Sequence, residues 1–128
     1  AERRLEKGYR ALVHGEFPCS TQTVDQPIDD RNACSHFDLL RYIPERDFSM
    51  VDVRIETGRK HQIRRHLAGL TFPIVGDRLH GIERRLSTGF DLQLCAYRLH
   101  FMCPLTGEPR EFELPVEKQP WPEFINAK

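Results

Sequence analysis

Most of this chain alternates apolar and polar residues with a period of two, the pattern of half-buried strands. Residues 9–13 set Tyr9, Ala11 and Val13 on one side against Arg10, Leu12 and His14, and Gly15 ends the run. Residues 33–42 open with Ala33-Cys34-Ser35-His36-Phe37 and continue through Leu40 and Tyr42. After the turn Pro44-Glu45-Arg46-Asp47, Val51, Val53 and Ile55 alternate with Asp52, Arg54 and Glu56. These two runs predict an antiparallel hairpin. Residues 92–101 predict another strand, Cys103-Pro104-Leu105-Thr106-Gly107-Glu108 a hairpin turn, and residues 111–115 a closing strand. Residues 1–8, with Leu5 as their one large apolar side chain, read as the end of a helix. Residues 17–32, holding Pro18, Pro27, Asp25, Asp29 and Asp30, read as a loop or irregular edge, and residues 81–90 as a surface loop. In the tail, residues 116–128, Trp121 and Phe124 are expected to cover an apolar edge.

The period changes once, in Glu56-Thr57-Gly58-Arg59-Lys60-His61-Gln62-Ile63-Arg64-Arg65-His66-Leu67. Ile63, Leu67 and Leu70 fall at i, i+4 and i+7, which predicts a helix over residues 60–70 with one apolar face on the core. His61, Arg64 and Ala68 share another face, with Arg65 beside it. Thr57 and Gly58 are expected to supply a capping hydroxyl and a flexible turn. Between Arg54 and His66 five Lys or Arg residues stand against one acid, Glu56. Cations crowded at a helix N-terminus, already positive through the helix dipole, call for a nearby anion, a phosphate or a carboxylate. A generic basic run is a solvated face. The strand–turn–helix setting, Gln62 and the two histidines point instead to a site.

A length of 128 residues allows one domain with a single core. No apolar run approaches a membrane span, and Ala1-Glu2-Arg3-Arg4 does not read as a signal peptide. Net charge is zero, so affinity for nucleic acid has to come from a local patch. Glu108, Glu111, Glu113, Glu117 and Glu123 gather toward the end and leave the positive charge in the middle. Cys19, Cys34, Cys95 and Cys103 have no CxxC spacing, which argues against a zinc site and a disulfide framework. Reduced thiols in a cytoplasmic protein are the expectation.

Thr57-Gly58-Arg59-x-His61-Gln62-Ile63-Arg64-x-His66-Leu67, followed by Pro73-Ile74-Val75-Gly76-Asp77 and His80-Gly81, resembles the RluA-like RNA pseudouridine synthases. The spelling is most similar to the branch with tRNA pseudouridine synthase C and the ribosomal large-subunit synthases. Lys7, Tyr9, Ala11, Val13 and Gly15 fit the family's Lys-x-Tyr-x-Ala-x-Val-x-Gly strand. Ser35 stands where the family usually has threonine, and Cys95 and Cys103 stand where it has histidine. The likeness runs from Lys7 to about Pro115 and corresponds to the second half of a family catalytic domain, residues 1–128 here. It implies an α+β fold, mainly an antiparallel mixed sheet with few helices.

By resemblance the chain is an isomerase that converts uridine to pseudouridine in tRNA or ribosomal RNA, with no metal or organic cofactor. Such an enzyme must extrude the target nucleotide from its stack. Tyr9 is then the residue that packs on the base and the favoured proton-transfer group. A phenol with its ordinary pKa of about 10 is a poor base at neutral pH unless cations lower it. Arg64 is the ion-pair partner of the catalytic aspartate, while Asp77 matches a structural aspartate. Arg59, Lys60, His61, Gln62 and Arg65 are the candidate RNA contacts, of which Arg59, Lys60 and Arg65 suit phosphates. The catalytic aspartate itself belongs to a His-Arg-Leu-Asp-x-x-Thr-Ser-Gly motif upstream of the tyrosine strand. Nothing before Lys7 matches it, and Asp25, Asp38, Asp47, Asp52, Asp77 and Asp91 lack its context. The chain is therefore expected to be inactive alone, and a half-domain is expected to self-associate through exposed sheet edge.

Two other readings compete. One is a catalytically silent RNA-binding module, distinguished by the reading frame upstream of Ala1. The other is a small phosphate-binding or metal-dependent hydrolase built on His61, Arg64 and His66. The five-residue spacing of the two histidines puts them on different helix faces, against a metal pair.

Overall fold

The computed structural model describes residues 5–80, 91–102, 105–115, 119 and 121. Among these residues the predicted alternation becomes six strands: β1 (Leu5–His14), β2 (Gln22–Asp25), β3 (Cys34–Ile43), β4 (Phe48–Ile55), β5 (Leu94–Met102) and β6 (Pro109–Glu113). They form one sheet in the order β2-β3-β4-β1-β5-β6, and every neighbouring pair is antiparallel. One helix, α1 (Gln62–Gly69), follows β4. The α+β architecture with a mainly antiparallel sheet is thus as expected, and no parallel pair occurs among the described residues. None of the described helices is long and apolar enough to cross a membrane.

Central β1 is covered on both faces, which is why Ala11, Leu12 and Val13 are all inaccessible to solvent. Ala11 and Val13 join Phe17, Phe37, Val51, Val53 and Ile55 under Ile63 and Leu67 of α1. Leu12 points the other way, into a smaller cluster with Ile43, Phe48, Met50 and Val75, against which Trp121 packs. Phe124 and Cys103 lie outside the described residues, as does the expected surface loop at 81–90.

Residues 5–8 correct the expectation of a helix end. They extend β1, with Lys7 paired to Ile55 on one side and Leu99 on the other. Two ladders satisfy the backbone here, and that tertiary pairing overrides the local preference of a Glu/Lys-rich segment. Within residues 17–32 the chain does form a short edge strand, β2, bonded to β3 through Val24 and Ser35 among others.

The pairing of β1 with β5 slips between Gly8 and Tyr9: Gly8 faces Arg98, but Tyr9 faces Ala96. The extra residue, Tyr97, makes a β-bulge, which bends the strand and re-aims its neighbours. Gly8 is required at this point, because a Cβ there would sit 2.8 Å from the Cβ of Arg98. Tyr97 lies on the face away from α1, under the Arg10 guanidinium (4.3 Å to the ring centroid), and its hydroxyl donates to Asp52. Burial first, and then the Asp52 carboxylate, push its phenol up to about 12. Cys95 sits on this same face opposite Arg10, so the histidine-to-cysteine change falls away from the helix side of the sheet.

Candidate active site

The helix is fastened to the sheet by a buried polar relay rather than by the Thr57 cap that the sequence predicts. Helix α1 starts at Gln62, two residues later than expected, and its N-cap is His61 in the left-handed region (φ 55°) with no side-chain cap bond. Thr57 Oγ1 instead donates to Gln62 Oε1 at 2.7 Å, and the Arg59 backbone N–H donates to the same oxygen at 3.2 Å. The Gln62 amide nitrogen donates to Cys34 O at 3.0 Å and to Ser35 Oγ at 2.9 Å. Ser35 Oγ, having accepted from Gln62, is free to donate to His66 Nδ1 at 2.8 Å, and His66 Nε2 donates to Gln26 O at 2.9 Å. The carbonyl of Gln26 can only accept, so the proton of a neutral His66 sits on Nε2.

This relay corrects two readings. Gln62 is 2% exposed and each of its donor and acceptor positions is taken by protein, so it braces the site and has no polar atom left for RNA. His66 is buried in the brace while His61 faces His80 (Nδ1 to Nε2, 3.1 Å), so the two share no ligand position. Among the described residues no cluster of three or more metal-ligating side chains occurs.

Beside the relay, Arg64 reaches across to Asp77. Its Nε donates to Oδ2 at 3.1 Å and its Nη2 to Oδ1 at 2.7 Å. Asp77 Oδ1 also accepts the backbone N–H groups of Leu79 (3.1 Å) and His80 (2.9 Å). Burial opposes ionisation of Asp77, but these hydrogen bonds outweigh it and hold the carboxyl below its ordinary range. The aspartate is completely enclosed and Arg64 is 18% exposed, so the pair shows solvent only the arginine.

What Arg64 shows faces a cleft of about 320 Å³ lined by Lys7, Tyr9, Arg59, His61, Arg64 and Leu94, together with Ile55, Gly58, Gln62, Ile63 and Leu92. Tyr9 lies half-buried on the cluster beneath α1 and reaches this cleft from the bulged end of β1. Lys7 approaches so closely that a Cβ on Gly58 would lie 3.3 Å from its ammonium nitrogen. Cations therefore line the cleft, and among the described residues no carboxylate does. Burial first, and then Arg64, Lys60 and Arg65, lower the pKa of His61; burial, Arg64, His61 and Arg65 lower that of His80.

Of the residues singled out in the sequence, Tyr9, Arg59, His61 and Arg64 thus meet in one cleft, with the braced Gln62 in its wall. Lys60 lies outside it, over a neighbouring hollow. Arg65 is on another side of the helix, paired to Asp29 at 3.3 Å. Lys7, Asp77 and His80 belong to the site without having been chosen as site residues. The order Gly76-Asp77 before His80 was the available signal, but it does not say that Arg64 is the partner.

A family model described as RNA pseudouridylate synthase matches residues 1–69. An uncharacterised RNA pseudouridine synthase of Chloroflexus aurantiacus is 40% identical over 89% of this chain and 40% of its own length. Ribosomal large subunit pseudouridine synthase D of Vibrio parahaemolyticus is 32% identical, over 90% and 42% respectively. Among solved structures, human RNA Pseudouridylate Synthase Domain Containing 1 superposes with a TM-score of 0.74 at 25% identity, over 88% of this chain and 55% of that one. The chain spans about two-fifths of the length of the curated relatives it matches. On the matched motifs, the shared sheet and the extent of that match, the chain belongs to the RNA pseudouridylate synthase family.

Proposed function

We propose that these residues form the tyrosine–arginine side of the active site of an RNA pseudouridine synthase, with the attacking carboxylate supplied from elsewhere. The observation that carries this reading is the composition of the cleft: Tyr9 and Arg64 line it with Lys7 and Arg59, and among the described residues no acid does. Among the described residues Asp77 is the one carboxylate in contact with Arg64, but its oxygens are engaged by the guanidinium and two backbone amides in a closed position. It braces the arginine and cannot reach a sugar. Among the described residues nothing takes the Nη1 hydrogens of Arg64, which leaves them for a second carboxylate while the pair with Asp77 fixes the guanidinium.

In the reaction the N1–C1′ bond of uridine breaks, the base turns, and C5 bonds to C1′. The C5 proton leaves and N1 gains one, so composition is unchanged. Tyr9 stacks on the extruded base and stands at the place from which that proton is taken. Arg64 holds the carboxylate that stabilises the sugar–base intermediate. Lys7, Arg59 and His61 hold the nucleotide's phosphate and ribose edge. The Vibrio parahaemolyticus relative is named for the ribosomal large subunit, which supports ribosomal RNA; the similarity of the motif spelling to tRNA pseudouridine synthase C supports tRNA.

The reading is tested in the protein encoded by the full reading frame, by tritium release from C5-labelled uridine RNA. Tyr9→Phe and Arg64→Ala should each reduce release to background while RNA binding persists. Wild-type rates in either variant would refute its assigned role.

A further inference from the structure

The hollow beside the cleft is the strongest candidate for a second RNA contact. It has a volume of about 410 Å³, is lined by Ile28, Asp29, Arg31, Gly58, Arg59 and Lys60, and shares Gly58 and Arg59 with the cleft. Three cations stand around it. The one carboxylate in its lining, Asp29, is already paired to Arg65 on the far side. Arg59 is held by a 2.7 Å bond from its Nε to Asn32 O and lines both the hollow and the cleft.

Arg31 is the residue that neither motif nor charge run had picked out. It closes a two-residue turn: Ile28 N–H donates to Arg31 O at 2.9 Å and Arg31 N–H to Ile28 O at 3.0 Å. Asp29 and Asp30 between them both have positive φ, 52° and 63°, the geometry of a type I′ turn without the glycine that usually makes it easy. Ile28 is 5% exposed and anchors the turn in the core, so Arg31 projects from a fixed base.

We propose that this hollow binds a backbone phosphate of the RNA, belonging to a nucleotide next to the one in the Tyr9 cleft. The inference rests on the RNA reading above and names a contact for it. Arg59 stands on the shared wall and touches the strand on both sides. Arg31 and Lys60 neutralise the phosphate, and Arg65, occupied by Asp29, takes no part. Contacts of this kind position the strand without reading its bases.

The test is the salt dependence of binding of a short single-stranded uridine-containing RNA to this chain, from about 0.05 M to about 0.2 M salt. Each lost phosphate contact on a single strand lowers the log–log slope by about 0.7. Arg31→Gln and Lys60→Gln should each reduce the slope by about that amount and weaken binding several-fold at low salt. Arg110→Gln, on the far edge strand β6, should change neither. An unchanged slope in both Arg31→Gln and Lys60→Gln overturns the hollow while leaving RNA binding by the cleft intact. Absence of any RNA binding by the wild-type chain overturns both. Arg31 is exposed and holds its turn through backbone atoms, so the substitution spares the fold.

Discussion

Arg64 and Asp77 meet edge to edge, two nitrogens of one guanidinium against two oxygens of one carboxylate at 3.1 and 2.7 Å. The aspartate is buried and the arginine opens on the cleft, so the pair is a mount: its closed side fixes the orientation of its open side. A charge that is enclosed and paired is costly to strand. Asp77→Asn should therefore destabilise the chain by about 2 to 4 kcal/mol in denaturant unfolding.

The same pair predicts how stability depends on acid. The carboxyl of Asp77 titrates lower in the folded chain than its unfolded value of about 3.9. Its contribution is therefore complete above that pH and is lost as pH falls through the folded-state value. Unfolding measured against pH should show this loss in the wild type and a flatter acid limb in Asp77→Asn.

His61 and His80 act in a higher window. Both are lowered from about 6.5, so as pH falls through that value the unfolded chain takes up protons before the folded one. Stability should decline from about pH 6.5 until the folded histidines titrate. NMR titration should place both imidazole midpoints below the ordinary value, and a midpoint at or above it for either ring would contradict the arrangement.

Ser35 is the joint between β3 and α1. Ser35→Ala would take the acceptor from one of the two Gln62 amide hydrogens, the other staying on Cys34 O, and would remove the partner of His66 Nδ1. The expected cost is about 2 to 3 kcal/mol, and amide exchange should rise first in α1.

At the bulge, Gly8→Ala drives a Cβ to 2.8 Å from the Cβ of Arg98. Neither atom is the flexible end of a side chain, so the strands must part. Overpacking of this kind should cost about 1 to 3 kcal/mol, and exchange should increase along β1 and β5 next to Tyr9.

The strands were legible because alternation is a local signal: Val51, Val53 and Ile55 declare their face without knowing their partners. The helix was legible from Ile63 and Leu67, which do lie on the core. Its start was not, because the polar residues before it bond to side chains rather than to helix N–H groups. Leu5–His14 was read too short, since what makes its first residues a strand is the pair of ladders on either side. The family motif marked Tyr9 and Arg64, but charge alone did not sort their neighbours. Gln62 looks like a surface amide among five cations and is buried, and Arg65 looks like Arg64 but turns to Asp29. Asp77 lies 13 residues from Arg64, a separation with no helical or strand meaning, so only the fold joins them.

By the function proposed above, this chain carries the Tyr9 and Arg64 side of the site and not the attacking carboxylate. The most direct measurement is tritium release from C5-labelled uridine RNA by the purified 128-residue chain, beside a version extended upstream through the full reading frame. The extended protein should release tritium and the chain alone none. Release by the chain alone would contradict it, since a carboxylate among these residues would then have to do the chemistry.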